Sequence, residues 1–462
     1  MKKITLMFFL CLNSLFVNSQ CWLKVSTGGA HTLGIGADNS LWSWGRSQSG
    51  QLGLGDLNSK NIPTKIGFDQ DWTKISAGNA HSLAIKSNGT LWVWGRNITG
   101  QLGNPDIGQN ILIPSQMGSE TNWIFISAGD EYSMAIKNNG TMWAWGDNVY
   151  GQLGDNTNGT GNIVTTPIQI GIDNDWAFIS AGTTHTFAIK KNGTLWAFGQ
   201  NNFGKLGDGT IVDKIIPTQI GTDSNWQTVE AGLKHSIALK NDNSLWTWGD
   251  NTDGQLGNGL NGASAGQSAP INIESGSKFF KITRGQKHTI VKRANGTLWS
   301  WGGNVSGQLG DNTFLAKASP IAVSSTIDTW DYISSRVSHC AALKSDGTLY
   351  MWGSNLFGQI GDASNLTKNI PVLIVCPTLS KNQLLFKSGF SIYPNPASSL
   401  LNIELIEGQD LSKIIIFDIS GKKVLEQTEN TRTINIENLA NGMYIIEMFS
   451  ENKSFQSKFV KN

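Results

Sequence analysis

The sequence predicts an all-β protein in which a seven-bladed β-propeller is followed by a small β-sandwich. The propeller is predicted by a Trp-Gly step, once Phe-Gly, that recurs seven times at spacings of 50, 51, 53, 50, 53 and 51 residues. Repeats of about 50 residues with four short strands each are typical of propeller blades. The sandwich is predicted by a different pattern near the C-terminus, where apolar runs at 400–405, 414–417 and 443–448 alternate with turns.

Aromatic residues occupy three fixed positions in every unit. The first is the aromatic residue of the Trp-Gly step: Trp44, Trp94, Trp145, Phe198, Trp248, Trp301 and Trp352. The second lies two residues earlier: Trp42, Trp92, Trp143, Trp196, Trp246, Trp299 and Tyr350. The third lies 22 residues before the step: Trp22, Trp72, Trp123, Trp176, Trp226, Phe279 and Trp330. These positions contain all 18 Trp of the chain, so the seven units are copies of one repeat.

Turn signals divide each unit into short strands. Asn-Gly or Asp-Gly pairs at 88–89, 139–140, 192–193, 295–296 and 346–347 predict hairpins with type I′ turns, which need positive φ at both central residues. A Gly-Gln-Leu-Gly element and a variable loop follow, and then a short apolar run containing Pro. The Pro residues are Pro63, Pro114, Pro167 and Pro217. Because Pro fits an edge strand best, this run is predicted to be the outermost strand of the blade.

The repeat resembles a known family. The segments Ala-Gly-x-x-His-Ser-x-Ala-Ile-Lys, Asn-Gly-Thr-Leu-Trp-x-Trp-Gly and Asn-x-x-Gly-Gln-Leu-Gly are similar to the RCC1 (regulator of chromosome condensation) repeat over residues 22–375. The resemblance implies a closed ring of seven blades. The seventh unit departs from it, since Arg336 stands where the other six have Gly, and we expect a less regular inner edge there.

The ends of the chain predict export. Residues 1–20 combine Lys2 and Lys3 with an apolar stretch at 4–17 and a polar end, the layout of a secretory signal peptide, with a buried N-terminal helix as the alternative. No other stretch is long and apolar enough for a transmembrane helix. We therefore expect a signal peptide at 1–20, a propeller at 21–377, a linker at 378–388 and a C-terminal β-sandwich at 389–462.

The C-terminal segment resembles a second family. The elements Tyr393-Pro394-Asn395-Pro396, Asp418-Ile419-Ser420-Gly421 and Asn441-Gly442-Met443-Tyr444 are similar to the C-terminal sorting domain of the type IX secretion system. This resemblance implies contact with the export machinery and passage across the outer membrane. The predicted location is secreted or on the outer cell surface, and an accessory ligand-binding module is the alternative role of this domain.

Two cysteines flank the repeats. Cys21 precedes the first unit and Cys376 follows the last. If the ring closes, its two ends meet, so we predict a Cys21–Cys376 disulfide, which an exported protein can retain. Two free thiols are the alternative, and signal cleavage after Cys21 would also prevent the disulfide by removing Cys21. Cys340 replaces a Ser or Thr of the other units and is predicted to be buried without a redox role.

The remaining polar positions favour structural roles. All six His share one position of the repeat, 13 residues before the Trp-Gly step: His31, His81, His185, His235, His288 and His339, with Tyr132 in the third unit. We expect each imidazole to bond to the backbone of its blade, because no Cys or carboxylate position accompanies them to complete a zinc site. Asp155, Asp208 and Asp311 are predicted to form turns, because they lack the further carboxylates that a calcium site needs.

The sequence favours binding over catalysis. It contains no common catalytic motif, and no enzyme activity, catalytic residue, metal or cofactor is predicted. The residue before Gly-Gln-Leu-Gly is aromatic in three units, and Tyr150, Phe203 and Phe357 are candidate binding anchors on one face. We expect a binding or adhesion module that contacts an unknown protein or glycan through variable loops such as 156–164 and 260–268. A net charge of +1 argues against nucleic acid as a partner. The alternatives are guanine-nucleotide exchange, as in the eukaryotic namesake, and a surface glycan-active enzyme.

Overall fold

The structure, a computed structural model, describes residues 21–324, 330–376, 390–393, 397–405, 411–418, 422–428, 432–450 and 453–461. The chain divides into two compact units, one ending at Cys376 and the other beginning at Pro377. The predicted signal peptide and linker lie outside the described residues, as do positions 394–396 and 419–421 of the C-terminal motifs.

The first four blades are antiparallel four-stranded sheets formed by consecutive strands. Blade 1 contains β1 (Trp22–Thr27), β2 (His31–Gly36), β3 (Leu41–Gly45) and β4 (Lys60–Ile66). Blade 2 contains β5 (Trp72–Ala77), β6 (His81–Lys86), β7 (Leu91–Gly95) and β8 (Ile111–Gln116). Blade 3 contains β9 (Trp123–Ala128), β10 (Tyr132–Lys137), β11 (Met142–Asp147) and β12 (Ile163–Gln169). Blade 4 contains β13 (Trp176–Ala181), β14 (His185–Lys190), β15 (Leu195–Gly199) and β16 (Lys214–Gln219), with a 3-10 turn at Asn202–Gly204.

The last three blades repeat this arrangement. Blade 5 contains β17 (Trp226–Ala231), β18 (His235–Lys240), β19 (Leu245–Gly249) and β20 (Gln267–Ile273). Blade 6 contains β21 (Phe279–Arg284), β22 (His288–Arg293), β23 (Leu298–Gly302) and β24 (Lys317–Ala322). Blade 7 contains β25 (Trp330–Ser335), β26 (His339–Lys344), β27 (Leu349–Gly353) and β28 (Lys368–Ile374). The prediction of a seven-bladed propeller is confirmed.

The order of strands within a blade follows from the sequence. The Pro-containing runs form edge strands, for example β4 with Pro63 and β8 with Pro114, as predicted. The central hairpins also form, but their turns are not type I′. Gly89 has a φ of 78°, whereas Asn88 is not among the residues with positive φ. Instead the Asn88 side-chain oxygen accepts the Thr90 N–H and hydroxyl at 3.1 and 2.7 Å, which stabilises a turn that needs only one left-handed residue.

The hydrophobic core lies between neighbouring blades. Each cluster combines side chains of two consecutive sheets, such as Leu33 and Leu41 of blade 1 with Trp72 and Trp94 of blade 2. The same kind of cluster joins blade 7 to blade 1, where Trp44 packs with Met351 and other residues. Packing between blades 7 and 1 therefore closes the ring.

Covalent closure accompanies this packing. Cys21 and Cys376 form the predicted disulfide across a sequence separation of 355 residues. Nearby, the Trp22 N–H donates to Gly347 O at 3.2 Å and the Thr27 N–H donates to the Ser334 hydroxyl at 3.1 Å. The two ends of the repeat region thus meet between blades 7 and 1.

The C-terminal unit is a two-sheet sandwich. Its first sheet contains β29 (Phe390–Tyr393), β30 (Leu400–Leu405) and β33 (Thr433–Asn435). Its second sheet contains β32 (Lys423–Gln427), β31 (Lys413–Asp418), β34 (Gly442–Ser450) and β35 (Lys453–Lys461), in that order. Leu401 and Ile434 of the first sheet pack against Ile414, Ile446 and Phe459 of the second, so one apolar core joins the two sheets.

Candidate binding surfaces of the propeller

Two faces of the ring differ in the connections they carry. The long-loop face carries the loops between the third and fourth strands of each blade, which cover 46–59, 96–110, 148–162, 200–213, 250–266, 303–316 and 354–367. The short-turn face carries the turns between the second and third strands and the connections to the next blade. The loop predicted at 156–164 lies largely on the long-loop face, and the loop predicted at 260–268 ends inside β20.

An Asn residue organises the base of most long loops. In blade 4, the Asn201 amide donates to Asp208 Oδ1 at 3.0 Å and to the Thr210 and Val212 carbonyls at 3.1 Å, and its oxygen accepts the Leu206 N–H at 2.9 Å. Equivalent contacts occur at Asn97, Asn148, Asn251, Asn304 and Asn355. One buried amide therefore satisfies several loop backbone groups that would otherwise face the blade unpaired.

The three Asp residues form turns, as predicted. Asp155, Asp208 and Asp311 each accept the N–H of the residue two positions later at 3.0 Å. Asp208 also pairs with Lys214 at 3.1 Å. Among the described residues, no three His, Cys, Asp or Glu side chains are grouped as a metal site would require.

The candidate anchors lie on the long-loop face of blades 3, 4 and 7. Tyr150 is 36% exposed, Phe203 is 43% exposed, and Phe357 is half-buried. The Lys234 ammonium lies 4.5 Å from the Phe203 ring centroid, and the Arg46 guanidinium lies 4.8 Å from the Phe357 centroid. Two of the rings therefore have a cation of the same chain beside them.

Further exposed apolar side chains, all but Phe314 aliphatic, lie in the long loops of the same face and were not predicted from the sequence. They occur in the long loops of six blades: Leu57, Ile98, Ile107, Ile211, Val212, Leu260, Val305, Phe314, Leu315, Leu356 and Leu366. Tyr150 supplies the exposed large apolar side chain of the third blade's loop. Since these loops vary in sequence, only their common placement on one face shows that the residues form a group.

The His position forms a ring of contacts between blades. His31 Nε2 lies 3.0 Å from the Ser82 hydroxyl of the next blade, and His339 Nε2 lies 3.1 Å from the Thr32 hydroxyl, which closes the series. Matching contacts run from His81, His185 and His235. The structural role is confirmed, but the predicted partner is wrong: the imidazole bonds to the neighbouring blade, because it reaches across the interface.

The partner hydroxyl fixes the state of each imidazole. The Ser82 hydroxyl donates to Gln51 O at 2.9 Å, so its oxygen accepts a hydrogen bond from the His31 Nε2–H. Gln51 O also accepts the Trp94 indole N–H at 2.9 Å. Burial lowers the pKa of His31 and His81 to about 3 and that of His339 to about 4, so the imidazoles are neutral.

Cys340 takes the place of the hydroxyl in blade 7. Its sulfur lies 3.3 Å from His288 Nε2 and 3.3 Å from Gln308 O. Burial raises the pKa of the Cys340 thiol to about 12. The prediction of a small buried residue is confirmed.

A basic side chain packs against the aromatic rings of the second and third repeat positions in most blades. Lys137 lies 4.6 Å from the Trp123 centroid and 3.5 Å from the Trp143 centroid, and it pairs with Glu120 at 2.7 Å. Lys86, Lys190, Lys240 and Arg293 occupy the same position in other blades. A basic residue ends the second strand in six of the seven blades, with Gly36 in blade 1, and this recurrence is the sequence signal for the stack.

The central channel is lined by the innermost strands and encloses a cavity of about 560 Å³. Arg336 does not disturb the pairing register of β25 with β26, which matches that of blade 1. The turn differs, however. In the other six blades the Gly N–H donates to the carbonyl three residues later at 2.7–2.9 Å, whereas in blade 7 the Ser335 hydroxyl contacts His339 O at 3.3 Å.

The fold and the repeated interfaces define a seven-bladed propeller joined to a small sandwich. Residues 11–334 match the family model of the RCC1-like domain, and residues 337–359 match that of the regulator of chromosome condensation (RCC1) repeat. The chain therefore belongs to the RCC1-like domain family. Residues 391–462 match the secretion system C-terminal sorting domain, which supports secretion of the protein. In the part of the chain that is described, no helix has the length and apolar character needed to cross a membrane.

Curated relatives share the repeats over part of their length. The chain is 28% identical to the ultraviolet-B receptor UVR8 of Arabidopsis thaliana over 76% of this chain and 57% of that protein. It is 30% identical to the probable E3 ubiquitin-protein ligase HERC6 of Homo sapiens over 54% of this chain and 20% of that protein. It is 26% identical to the RCC2 homolog of Danio rerio over 58% of this chain and 50% of that protein. The chain thus spans less than two thirds of the length of each.

Solved structures share the fold. Human WBSCR16 is 22% identical, with a TM-score of 0.65 over 73% of this chain and 94% of that one. Prp20p of Saccharomyces cerevisiae is 20% identical, with a TM-score of 0.66 over 81% of this chain and 90% of that one.

Proposed function

We propose that this protein is a secreted, non-catalytic binding module whose long-loop face contacts a protein surface outside the cell. The observation that carries this proposal is the set of exposed apolar side chains in the long loops of all seven blades. Exposed apolar groups collected on one face of a soluble protein are typical of interaction surfaces.

The scaffold suits this role. The interblade cores and the His–hydroxyl contacts hold the seven sheets rigidly, while the loops vary in length and sequence. Loops on a rigid framework are where recognition residues are usually placed. A preorganised surface also loses less conformational entropy when it binds.

Tyr150, Phe203 and Phe357 are proposed as anchors of this surface. Aromatic side chains contribute strongly to interfaces because they bury a large area with few rotatable bonds. Leu356, 68% exposed, precedes Phe357, so aliphatic area adjoins an anchor directly. The aliphatic groups favour a protein over a glycan as the ligand of this surface.

The sorting domain is proposed to contact the export machinery.

Site-specific photo-crosslinking tests the proposal. A photoreactive phenylalanine analogue is placed at Tyr150, Phe203 or Phe357 of the full chain, which is then incubated with the extracellular proteins of its natural surroundings. The matched controls carry the analogue at Phe68 or Ile172 of the short-turn face, which are 90% and 95% exposed.

We expect the three long-loop positions to yield adducts with one common protein. Exchange of loops 156–164 and 260–268 for those of another blade is expected to abolish these adducts without unfolding the ring. Equal adducts from Phe68 and Ile172, or adducts unchanged by the loop exchange, would contradict the placement of the site.

A further inference from the structure

Two buried arginines interrupt the repeat in the central channel. The last residue of the innermost strand is small in six blades: Thr27, Ala77, Ala128, Ala181, Ala231 and Ser335. Blade 6 has Arg284 there, and blade 7 has Arg336 at the following position. Arg284 is only 6% exposed and Arg336 only 7%. Both line the cavity, so adjacent blades direct two guanidinium groups into one channel.

The two arginines differ in how the protein compensates their charge. Arg336 crosses from blade 7 to blade 3, where Nη1 donates to Ala128 O at 2.7 Å and Nη2 pairs with Asp130 at 2.9 Å. Arg284 Nη2 donates to Ala181 O at 3.3 Å, and no ion pair of Arg284 occurs among the described residues. The Nε atoms of both arginines have no hydrogen-bond partner in the described part of the chain, so the ion pair of Arg336 is what separates the two residues.

Burial makes the charged form of the Arg284 guanidinium energetically unfavourable. Burial, followed by the proximity of Arg336, lowers the pKa of Arg284 to about 10. A buried cation without a close counter-ion is unfavourable unless another group compensates it. Glu230 and Asp130 offset part of this cost through their charges, but neither forms an ion pair with Arg284 among the described residues.

The cavity wall is predominantly basic. Lys24, Lys74 and Lys281 line it together with the arginines, and Glu230 is the carboxylate in the lining. Burial raises the pKa of Glu230, and the charges of Arg284 and Arg336 act in the opposite direction. Because the innermost strands run from the short-turn face to the long-loop face, the lysines lie nearer the short-turn face and the arginines nearer the other.

Apolar surface accompanies the charge. Phe125 and Phe178 line the same cavity, with ring centroids 5.2 Å apart and an interplanar angle of 64°. Tyr332 lines it from blade 7. A concave site of this volume that combines apolar walls with a few charged groups is typical of small-molecule binding.

We infer that the central channel binds a small organic anion, whose oxyanion contacts Arg284 and whose apolar body packs against Phe125 and Phe178. Carboxylates and phosphates share the required oxyanion, and a guanidinium binds either through charge-assisted hydrogen bonds. This site is independent of the long-loop face.

Calorimetric titration of the full chain tests the inference. The probes are phenyl phosphate and benzoate. Inorganic phosphate is the control that has the anionic group without an apolar ring, and benzyl alcohol is the control that has the ring without a charge. We expect phenyl phosphate or benzoate to bind more tightly than both controls, and the preference between them identifies the oxyanion.

Arg284→Ala is the decisive variant. It is expected to fold, because four other blades carry Ala at this position, and to weaken binding of the preferred probe about tenfold or more. Lys281→Gln provides a second test and is expected to weaken binding less, whereas Lys278→Gln, on an exposed side chain three residues away, is the matched control and is expected to leave it unchanged.

Wild-type protein that binds neither organic anion, or Arg284→Ala protein that binds with unchanged affinity, would overturn the inference. Substitution of Tyr150 and Phe203 by Ser is expected to leave probe binding intact. Failure of the channel site is thereby distinguished from failure of the long-loop site.

Discussion

At the scale of single residues, the buried histidines make stability depend on pH. Their pKa is about 6.5 in the unfolded chain, whereas burial lowers that of His81 to about 3 in the folded one. Below pH 6.5 the unfolded state therefore binds protons that the folded state does not. The stability that each neutral histidine contributes is fully present above this pH. It is lost as the pH falls towards 3, by up to about 1.4 kcal/mol of unfolding free energy per pH unit for each such histidine.

His81→Tyr tests this directly, because Tyr132 occupies the same position in blade 3. Between pH 6 and pH 4 the variant is expected to lose less unfolding free energy than the wild type. The difference equals the loss that one buried histidine causes over this pH range. Urea unfolding across this pH range provides the measurement. An unchanged pH dependence would show that His81 is not held neutral in the folded state.

Trp94 illustrates the value of one interblade hydrogen bond. Phe198 replaces this Trp in blade 4, so Trp94→Phe keeps a smaller aromatic ring and removes the indole bond to Gln51 O. We expect the lost hydrogen bond to cost about 1 kcal/mol of unfolding free energy in addition to the packing loss. Trp44→Phe is the matched control, because the Trp44 indole nitrogen has no partner among the described residues, and its loss should be smaller. Equal losses would assign the effect to packing alone.

At the scale of elements, the long loops depend on their buried Asn. Asn201→Ala removes four hydrogen bonds of the loop that carries Phe203. We expect a loss of about 1–3 kcal/mol in unfolding free energy, because buried backbone groups are left unpaired, and faster proteolytic cleavage within 200–213. Asn202→Ala, at the adjacent exposed position, should change neither. Cleavage that is equally slow in both variants would show that Asn201 does not hold the loop.

The sequence predicted elements better than contacts. Strand positions and the edge strands with Pro followed from local patterns, because periodicity and turn chemistry act over a few residues. The partner of His31 did not, because Ser82 is 51 residues away and only the packing of two blades brings them together. Arg336 was recognised as a departure from the repeat, but its contact with Asp130, 206 residues away, requires the closed ring.

At the scale of the whole molecule, the seven blades form one ring through equivalent interfaces. The aromatic repeat predicted the blade number because each Trp position has a fixed role, either in the interface between blades or in packing against a basic side chain. The site is less predictable: the long-loop face and the channel both depend on residues that deviate from the repeat, such as Val305 and Arg284. Periodicity identifies the framework, whereas binding surfaces lie where the blades differ.

Ring closure is the central claim, and the Cys21–Cys376 disulfide allows it to be measured. A cross-link spanning 355 residues reduces the entropy of the unfolded chain, which corresponds to at most about 6 kcal/mol in the loop-entropy estimate. We compare urea unfolding of the wild type, Cys21→Ser/Cys376→Ser and, as a control, Cys340→Ser. The account predicts a clear loss of unfolding free energy in the double variant, with the blades still unfolding together, and little change in the control. Unchanged stability of the double variant would contradict a ring whose two ends are clamped together.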